Sequence, residues 1–262
     1  MYKFVDVNER PHTEGLPSVA MEYDGIILEN EIRGYRTLTV EGREMLNVDI
    51  KTESPDGRDG TIITGQSLPP RELKVVYSLE ANSNEEFQLS YSLLMKKLLK
   101  YVDVPIRFAD EPGIWYYGRY ASTTDIPGDR NTVVASFTIY CQSSYKRKES
   151  TVLKGNPINV GYISDYAMKP DEIKLIIGTI ATKITVDNLT TGRHIILNGS
   201  YAVSDVIKID IPNNKITKNG QNIMKELDFT ETDFHDFLIN NGDSIKVTPN
   251  STMEINLRGR KL

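Results

Sequence analysis

Paired carboxylates are the first chemistry to look for, since two of them held about 5–10 Å apart suffice for glycoside hydrolysis. Asp110 and Glu111 are neighbours in the run Phe108-Ala-Asp-Glu-Pro-Gly113. On a strand they would face opposite ways. Pro112 and Gly113 make them turn residues instead, proline fixing φ and glycine permitting a positive one. A second acidic group, Asp228, Glu231, Asp233 and Asp236, surrounds Phe229, Phe234 and Phe237. It lacks the Asp-x-Asp-x-Asp-Gly spacing of a calcium loop and reads as a solvated acidic loop pinned by phenylalanines. His235-Asp236 has no serine or cysteine nucleophile tied to it in sequence. His12, His194 and His235 are scattered without metal-ligand spacing. Cys141 stands alone, so it closes no intrachain disulfide, completes no multi-cysteine zinc site and has no activating base beside it. No GxGxxG or phosphate-binding loop occurs. No residue is therefore assigned a catalytic, cofactor-binding or metal-binding role, no cofactor is expected, and the chain is not expected to be an enzyme.

The bulk properties set the same frame. At 262 residues the chain is one large or two small domains, able to bury roughly 70–75% of its unfolded surface. Hydrophobic residues at 39% and charged residues at 26% are ordinary for a globular chain. A formal net charge of −5 argues against general nucleic-acid binding, which carries a basic footprint. No apolar run approaches the ~20 residues that span a bilayer, and no signal-peptide core opens the chain, so no membrane partner is expected.

The elements that must position these residues follow from periodicity. Residues 1–22 carry Pro11, Gly15 and Pro17 and read as a strand-poor entry arm. Asp24-Gly25 is a hairpin signal before Ile26-Ile27-Leu28, and strands are expected over 32–40 and 45–52. Residues 53–70, with two Asp-Gly pairs and Pro69-Pro70, predict a long exposed excursion, which composition alone permits to be a loose loop. Alternating Leu73, Val75, Tyr77 and Leu79 make 72–79 a strand. Ser83-Asn84-Glu85-Glu86 is a capping box, opening a helix whose apolar face runs Phe87, Tyr91, Leu94, Leu98, Tyr101. Lys96, Lys97 and Lys100 sit where the helix macrodipole favours cations, and Pro105 ends the pattern. An aromatic strand, Ile114 to Tyr120, contains the chain's only tryptophan, and Trp115 is expected in the core. A loop at Pro127-Gly128-Asp129 and a strand over 133–140 come next. The polar run Ser143 to Ser150 marks the domain boundary. Beyond it, strands are expected near 158–163, 173–177, 180–186, 194–197, 203–211, 215–217, 244–248 and 252–258. Asn198-Gly199, Asn219-Gly220 and Asn241-Gly242 supply the turns. So many short strands argue for a sandwich.

The order of these pieces carries a resemblance. Arg71-Glu72-Leu73-Lys74-Val75, the helix, the stretch Pro105 to Tyr120 and the strand that closes the domain resemble the distal tail protein family of long, flexible-tailed phages and prophages of Gram-positive bacteria. The stretch from Ile207 to Phe229 and the ending Ile255 to Leu262 look like the C-terminal domain of the same family. The resemblance implies a mainly β fold: an N-terminal β-sandwich (1–145) with one flanking helix and a projecting arm, and a C-terminal galectin-like or carbohydrate-module-like sandwich (151–262). It implies a virion structural protein at the tail tip, assembled in the host cytoplasm. Six copies would close into a ring joining the tail tube protein to the tail-associated (tip) protein, with the genome leaving through it. It further implies support for a receptor-binding protein or contact with cell-wall carbohydrate.

Two other classes compete. A stand-alone carbohydrate-binding module or lectin predicts clustered exposed aromatics in 151–262, where only Tyr162, Tyr166 and Tyr201 stand beside the phenylalanines and no tryptophan occurs. A wall hydrolase lacks an acid/base pair.

Overall fold

The Asp24-Gly25 pair makes the first reversal of the computed structural model, which describes residues 15–57, 59–125 and 131–262. Both residues have positive φ, 55° and 77°, the geometry of a two-residue hairpin. They join β1 (Met21–Tyr23) to β2 (Ile26–Ile27). Leu28 turns into a single helical turn, α1 (Leu28–Glu31), rather than extending the strand. The expectations placed on residues 1–14, with Pro11 and His12, and on the Pro127-Gly128-Asp129 loop lie outside the described residues.

The chain divides into two compact units. The first runs through Pro112 and resumes at Tyr116–Ser144, and the second comprises Gly113–Trp115 and Tyr145–Leu262. In the first, β3 (Tyr35–Glu41) is followed by the hairpin β4 (Asp49–Glu53) and β5 (Ile62–Ser67), then β6 (Arg71–Glu80). Helix α2 (Asn84–Leu98), β7 (Val104–Phe108), β8 (Ile114–Thr123) and β9 (Thr132–Cys141) complete it. The antiparallel order is β3-β6-β9-β8-β7-β1-β2, while β4 and β5 pair only with each other. Strand β8 serves both halves of this path. Tyr116 and Gly118 pair with β7, and Arg119 to Thr123 pair with β9. Gly118 permits the crossing, because a Cβ there would stand 2.6 Å from the Tyr140 carbonyl and 2.7 Å from Cys141 Sγ.

Period-two burial in β6 buries Leu73, Val75, Tyr77 and Leu79. Tyr77 stacks between Tyr35 and Phe137, with centroids 5.4 and 5.6 Å away. The helix lays Phe87, Leu94 and Leu98 on this core. Ser83 caps it as expected, accepting from the Glu86 amide at 3.2 Å. The return bond shifts by one residue: Glu86 accepts from the Asn82 amide at 3.0 Å, not from Ser83. The helix stops at Leu98, so the expected apolar face is shorter by its last member, and Tyr101 is 87% exposed. Trp115 is a second correction. On β8 the inward phase is Ile114, Tyr116 and Gly118, which leaves Trp115 on the opposite phase and half-buried. The buried aromatic of the motif is Tyr116.

The second unit is a sandwich. Its strands are β10 (Lys146–Gly155), β11 (Ile158–Asn159), β12 (Glu172–Ile177), β13 (Ala181–Asn188) and β14 (His194–Tyr201), then β15 (Val206–Asp210), β16 (Lys215–Lys218) and β17 (Gln221–Asn222), and finally β18 (Ser244–Thr248) and β19 (Ser251–Lys261). One sheet runs β17-β16-β15-β12-β19-β10 and the other β11-β18-β13-β14. Their inner faces share one core that includes Ile173, Leu175, Ile184, Leu197, Ile209 and Ile255. The fold is mainly β and antiparallel, as expected.

One local feature takes a different form and one expectation fails, each for a visible reason. The charged run at 143–150 contains the division between the units, between Ser144 and Tyr145, and from Lys146 onward it is strand, β10 pairing with β19. Asn198-Gly199 lies inside β14 instead of at a turn. A Cβ at Gly199 would meet Glu226 Oε2 at 2.3 Å and the Tyr201 hydroxyl at 2.7 Å, the two ends of the bond in which Tyr201 donates to Glu226 at 2.7 Å. Asn219-Gly220 and Asn241-Gly242 do turn, with both members of the first pair and Gly242 at positive φ. Gly199→Ala is therefore expected to push Glu226 off the Tyr201 hydroxyl and to destabilise the chain by about 0.5–1.5 kcal/mol in urea titration, the net worth of one hydrogen bond. Gly161→Ala, with nothing within 4 Å of its Cβ position, should stay within about 0.5 kcal/mol.

Candidate functional site

Arg71 shares the phase of Leu73 and Val75, and β6 therefore carries a guanidinium into the interior, where it has no exposed surface. Its described partners are carbonyl oxygens. Nη1 donates to Gly42 O at 2.7 Å and Nε to Ser144 O at 3.2 Å. Gly42 (φ 87°) could hold no side chain, since a Cβ would lie 2.0 Å from Glu72 O. Ser144 in turn donates from Oγ to Pro69 O at 2.6 Å. Gly42 and Pro69 are the two ends of the excursion that contains β4 and β5, so this cluster grips its root.

The carboxylates of the turn brace the same root. Asp110 accepts a bidentate pair from Arg43, at 2.8 and 2.9 Å, the geometry that suits a guanidinium fork. The Arg43 plane also lies over the Phe108 ring, 5.2 Å from its centroid. Glu111 Oε2 accepts from the Tyr116 hydroxyl at 2.6 Å. Arg43 holds the Asp110 carboxyl below the usual carboxylate range through its hydrogen bonds and charge, against the pull of burial. Burial first, then the bond to Glu111, push the Tyr116 hydroxyl far up. Cys141, near the Arg71 charge, is pushed up to about 12 because burial outweighs that charge. A thiol so placed is no nucleophile at neutral pH.

Beyond this root the hairpin lies open. Every residue of β4 is exposed, as are Ile62 and Ile63 of β5, Ile63 at 64%. Asp56-Gly57 and Asp59-Gly60 form its tip, with both glycines at positive φ. The excursion expected over 53–70 is thus an ordered hairpin with apolar side chains in solvent.

The second acidic group takes another course. Phe234 and Phe237 are buried, while Phe229 is 70% exposed. Asp233 Oδ2 accepts from the His194 amide at 3.0 Å, so His194 and Asp233 meet as loop-to-strand stitching. His235 presents its ring to the edge of Phe234, 5.5 Å between centroids. Among the described residues no group of three or more His, Cys, Asp or Glu is placed to hold a metal ion. No helix among them is long and apolar enough to cross a membrane. Of the tyrosines expected to mark a sugar platform, Tyr201 is buried, Tyr166 packs on Tyr145 at 4.9 Å, and Tyr162 carries Lys148 Nζ over its ring at 5.3 Å.

Sequence comparison places these features. Residues 26–141 match the phage tail protein RIFT-related domain, and residues 164–260 match the siphovirus-type tail component, C-terminal domain. The distal tail protein of Bacillus phage SPP1 is 30% identical over 218 residues, covering 79% of this chain and 83% of that protein. The chain belongs to the distal tail protein family. It is a structural component of the phage tail, and its named relatives are tail proteins. The crystal structure of SPP1 Dit has the same fold, with a TM-score of 0.79 at 24% identity over 93% of this chain and 99% of that one. A chain of the phage P2 baseplate, in its activated conformation with Ca, matches more distantly, with a TM-score of 0.52 at 14% identity over 85% and 90%.

In this distal tail protein the signature Asp110-Glu111-Pro112-Gly113 is a brace. Arg43 is the partner that sequence reasoning missed, and no spacing announces it. Arg71 was readable, since it stands in phase with four inward residues. Arg71→Met would leave two buried carbonyls without a donor and is expected to cost about 2–6 kcal/mol in urea titration. Arg71→Lys should recover only part, because one ammonium cannot reproduce the fork. The Asp110 contribution has a defined pH window. Its folded pKa is depressed, so the stabilisation is present above the unfolded value of about 3.9 and is lost as pH falls through the folded value. Wild type and Asp110→Asn should differ in melting temperature at pH 6 and converge in strong acid. The difference should be about 1 kcal/mol or less, because the pair is partly solvated.

Proposed function

We propose that this chain forms the hub of the tail tip: six copies close into a ring between the tail tube protein and the tail-associated protein, in a virion assembled in the bacterial cytoplasm. The observation that carries the reading is the β4–β5 hairpin. A two-stranded hairpin is marginal in water by itself, yet this one is held out from a buried root with Ile50, Ile62 and Ile63 in solvent. A neighbouring copy covering it would complete its burial. Contacts of that kind are heterologous, and they give a finite ring when the rotation closes. The SPP1 structure is described as a paradigm of hub adsorption apparatus in Gram-positive infecting phages, and kinship to the SPP1 protein brings the hub role here. The second unit then serves adsorption by supporting a receptor-binding protein or touching cell-wall carbohydrate. The hub carries no enzymatic activity, for the acidic residues of its turn brace the fold.

Light scattering of the full chain should show a hexamer, or dimers and trimers on the way to one, at high concentration. Ile50→Ser combined with Ile63→Ser should shift it to monomer without lowering its melting temperature appreciably, since both side chains are exposed. A wild-type chain that stays monomeric at every concentration and ignores tail-tube protein would sink the reading.

A ring that passes DNA works best without basic walls, because lysines and arginines hold a polyanion through counterion release. The formal charge of −5 fits a lumen where carboxylates outnumber cations. The assembled protein should accordingly leave duplex DNA unretarded in gel shifts near physiological ionic strength. Salt-sensitive retention would overturn this view of the exit channel while leaving the hub itself standing.

A further inference from the structure

Phe229 is used by neither the fold nor the hub. An acidic loop pinned by phenylalanines accounts for Phe234 and Phe237, 4% and 0% exposed, and leaves Phe229 at 70%. The loop that presents it is stitched down. Asp228 accepts from the Thr230 and Glu231 amides at 3.1 and 3.2 Å and from Asn198 Nδ2 at 3.1 Å. Leu227 bridges to Leu197, and Thr232 Oγ1 takes the Ile196 amide at 2.9 Å. Phe229 is therefore held ready in solvent, which lowers the ordering cost of any contact it makes.

Beside it lies a groove of about 260 Å³, walled by Met224, Leu227 and Phe234 and rimmed by Asp233 and Asp236. That volume falls below the ~300–1,000 Å³ of small-molecule sites and suits one large apolar side chain. Charge then selects the bearer. Residues 224–237 contain Glu226, Asp228, Glu231, Asp233 and Asp236 against Lys225, five minus one, a net of −4 in a chain of −5. Arg193, which donates to the Asp236 carbonyl, reduces this to −3.

We infer that this groove docks a different protein through a basic segment, one apolar side chain entering beside Phe229 while flanking lysines or arginines meet the acidic rim. Strand addition is not the mode, because the 227–233 loop already lies along β14. A second copy of this chain fits poorly, since several of its basic residues are engaged at home: Lys148 with Asp165, Arg258 with Asp171, Lys97 with Glu31 and Lys100 with Asp24.

Fluorescence anisotropy of the full chain with labelled Gly-Lys-Arg-Leu-Arg-Lys-Gly tests this, with Gly-Glu-Asp-Leu-Asp-Glu-Gly as the opposite-charge probe. The basic probe should bind, the acidic one should not, and Phe229→Ser and Asp236→Asn should each weaken binding at least tenfold at an unchanged melting temperature. Absence of binding, or equal binding by wild type and Phe229→Ser, overturns the inference. Concentration-dependent self-association abolished by Phe229→Ser would assign the groove to a second copy, and Phe229-dependent glycan binding without peptide binding would assign it to a sugar. Either result would also overturn it.

Discussion

A guanidinium cannot be deprotonated and cannot be left dry without partners, so burying Arg71 dictates what surrounds it. Donors aimed at Gly42 and Ser144 require those carbonyls to be present and correctly turned. Gly42 must then be glycine, with its positive φ and its approach to β6, and Ser144 must be drawn against Pro69. One buried cation thus ties the end of β3, the return of the hairpin and the last residue of the first unit into a single knot. An apolar residue at this position could pack but would impose no such registration, and buried polar groups of this kind serve best where they fix one arrangement among several.

The knot explains why an exposed hairpin can have a direction. Side chains of β4 and β5 contribute no core, so nothing within the hairpin orients it. Its two ends are fixed instead, one through Gly42 and Arg43 and the other through Pro69. The Arg43–Asp110 pair adds a brace outside the buried cluster, where solvent weakens each ion pair but a bidentate fork keeps its geometry. Preorganisation of this sort reduces the entropy lost when a partner surface arrives. Asp110 and Glu111, which by residue type alone could have suggested acid/base work, are accounted for as the outer part of this mounting.

Most of the architecture was legible because period-two burial is a strong signal. Leu73 to Leu79 and Ile207 to Ile211 behave as their patterns require, and Ser83 caps the helix where its sequence places the cap. What failed did so where long-range geometry overrides local chemistry. Asn198-Gly199 has the composition of a turn, yet its glycine serves the Tyr201–Glu226 pair from inside a strand. Trp115 was misplaced by one residue of phase, which on a strand is the difference between inside and outside. Arg43 was illegible for a different reason: its partner lies 67 residues away, and nothing local points to it.

The two units treat their open strand edges in opposite ways. In the second, β14 ends the sheet, and the 227–233 loop runs along it, with Leu227 opposite Leu197 and Thr232 and Asp233 taking strand amides. That is how a chain prevents unwanted pairing at an exposed edge. In the first, β4 and β5 pair only with each other and their side chains remain in solvent. A fold that shields one edge with a stitched loop while projecting another hairpin from a buried clamp controls where its open strands can pair. Uncontrolled exposure would lead to aggregation, whereas a clamped hairpin offers its edges and isoleucines in a single orientation. The closed ring proposed above would need a repeating contact between identical subunits, and a surface held in one orientation is suited to supply one.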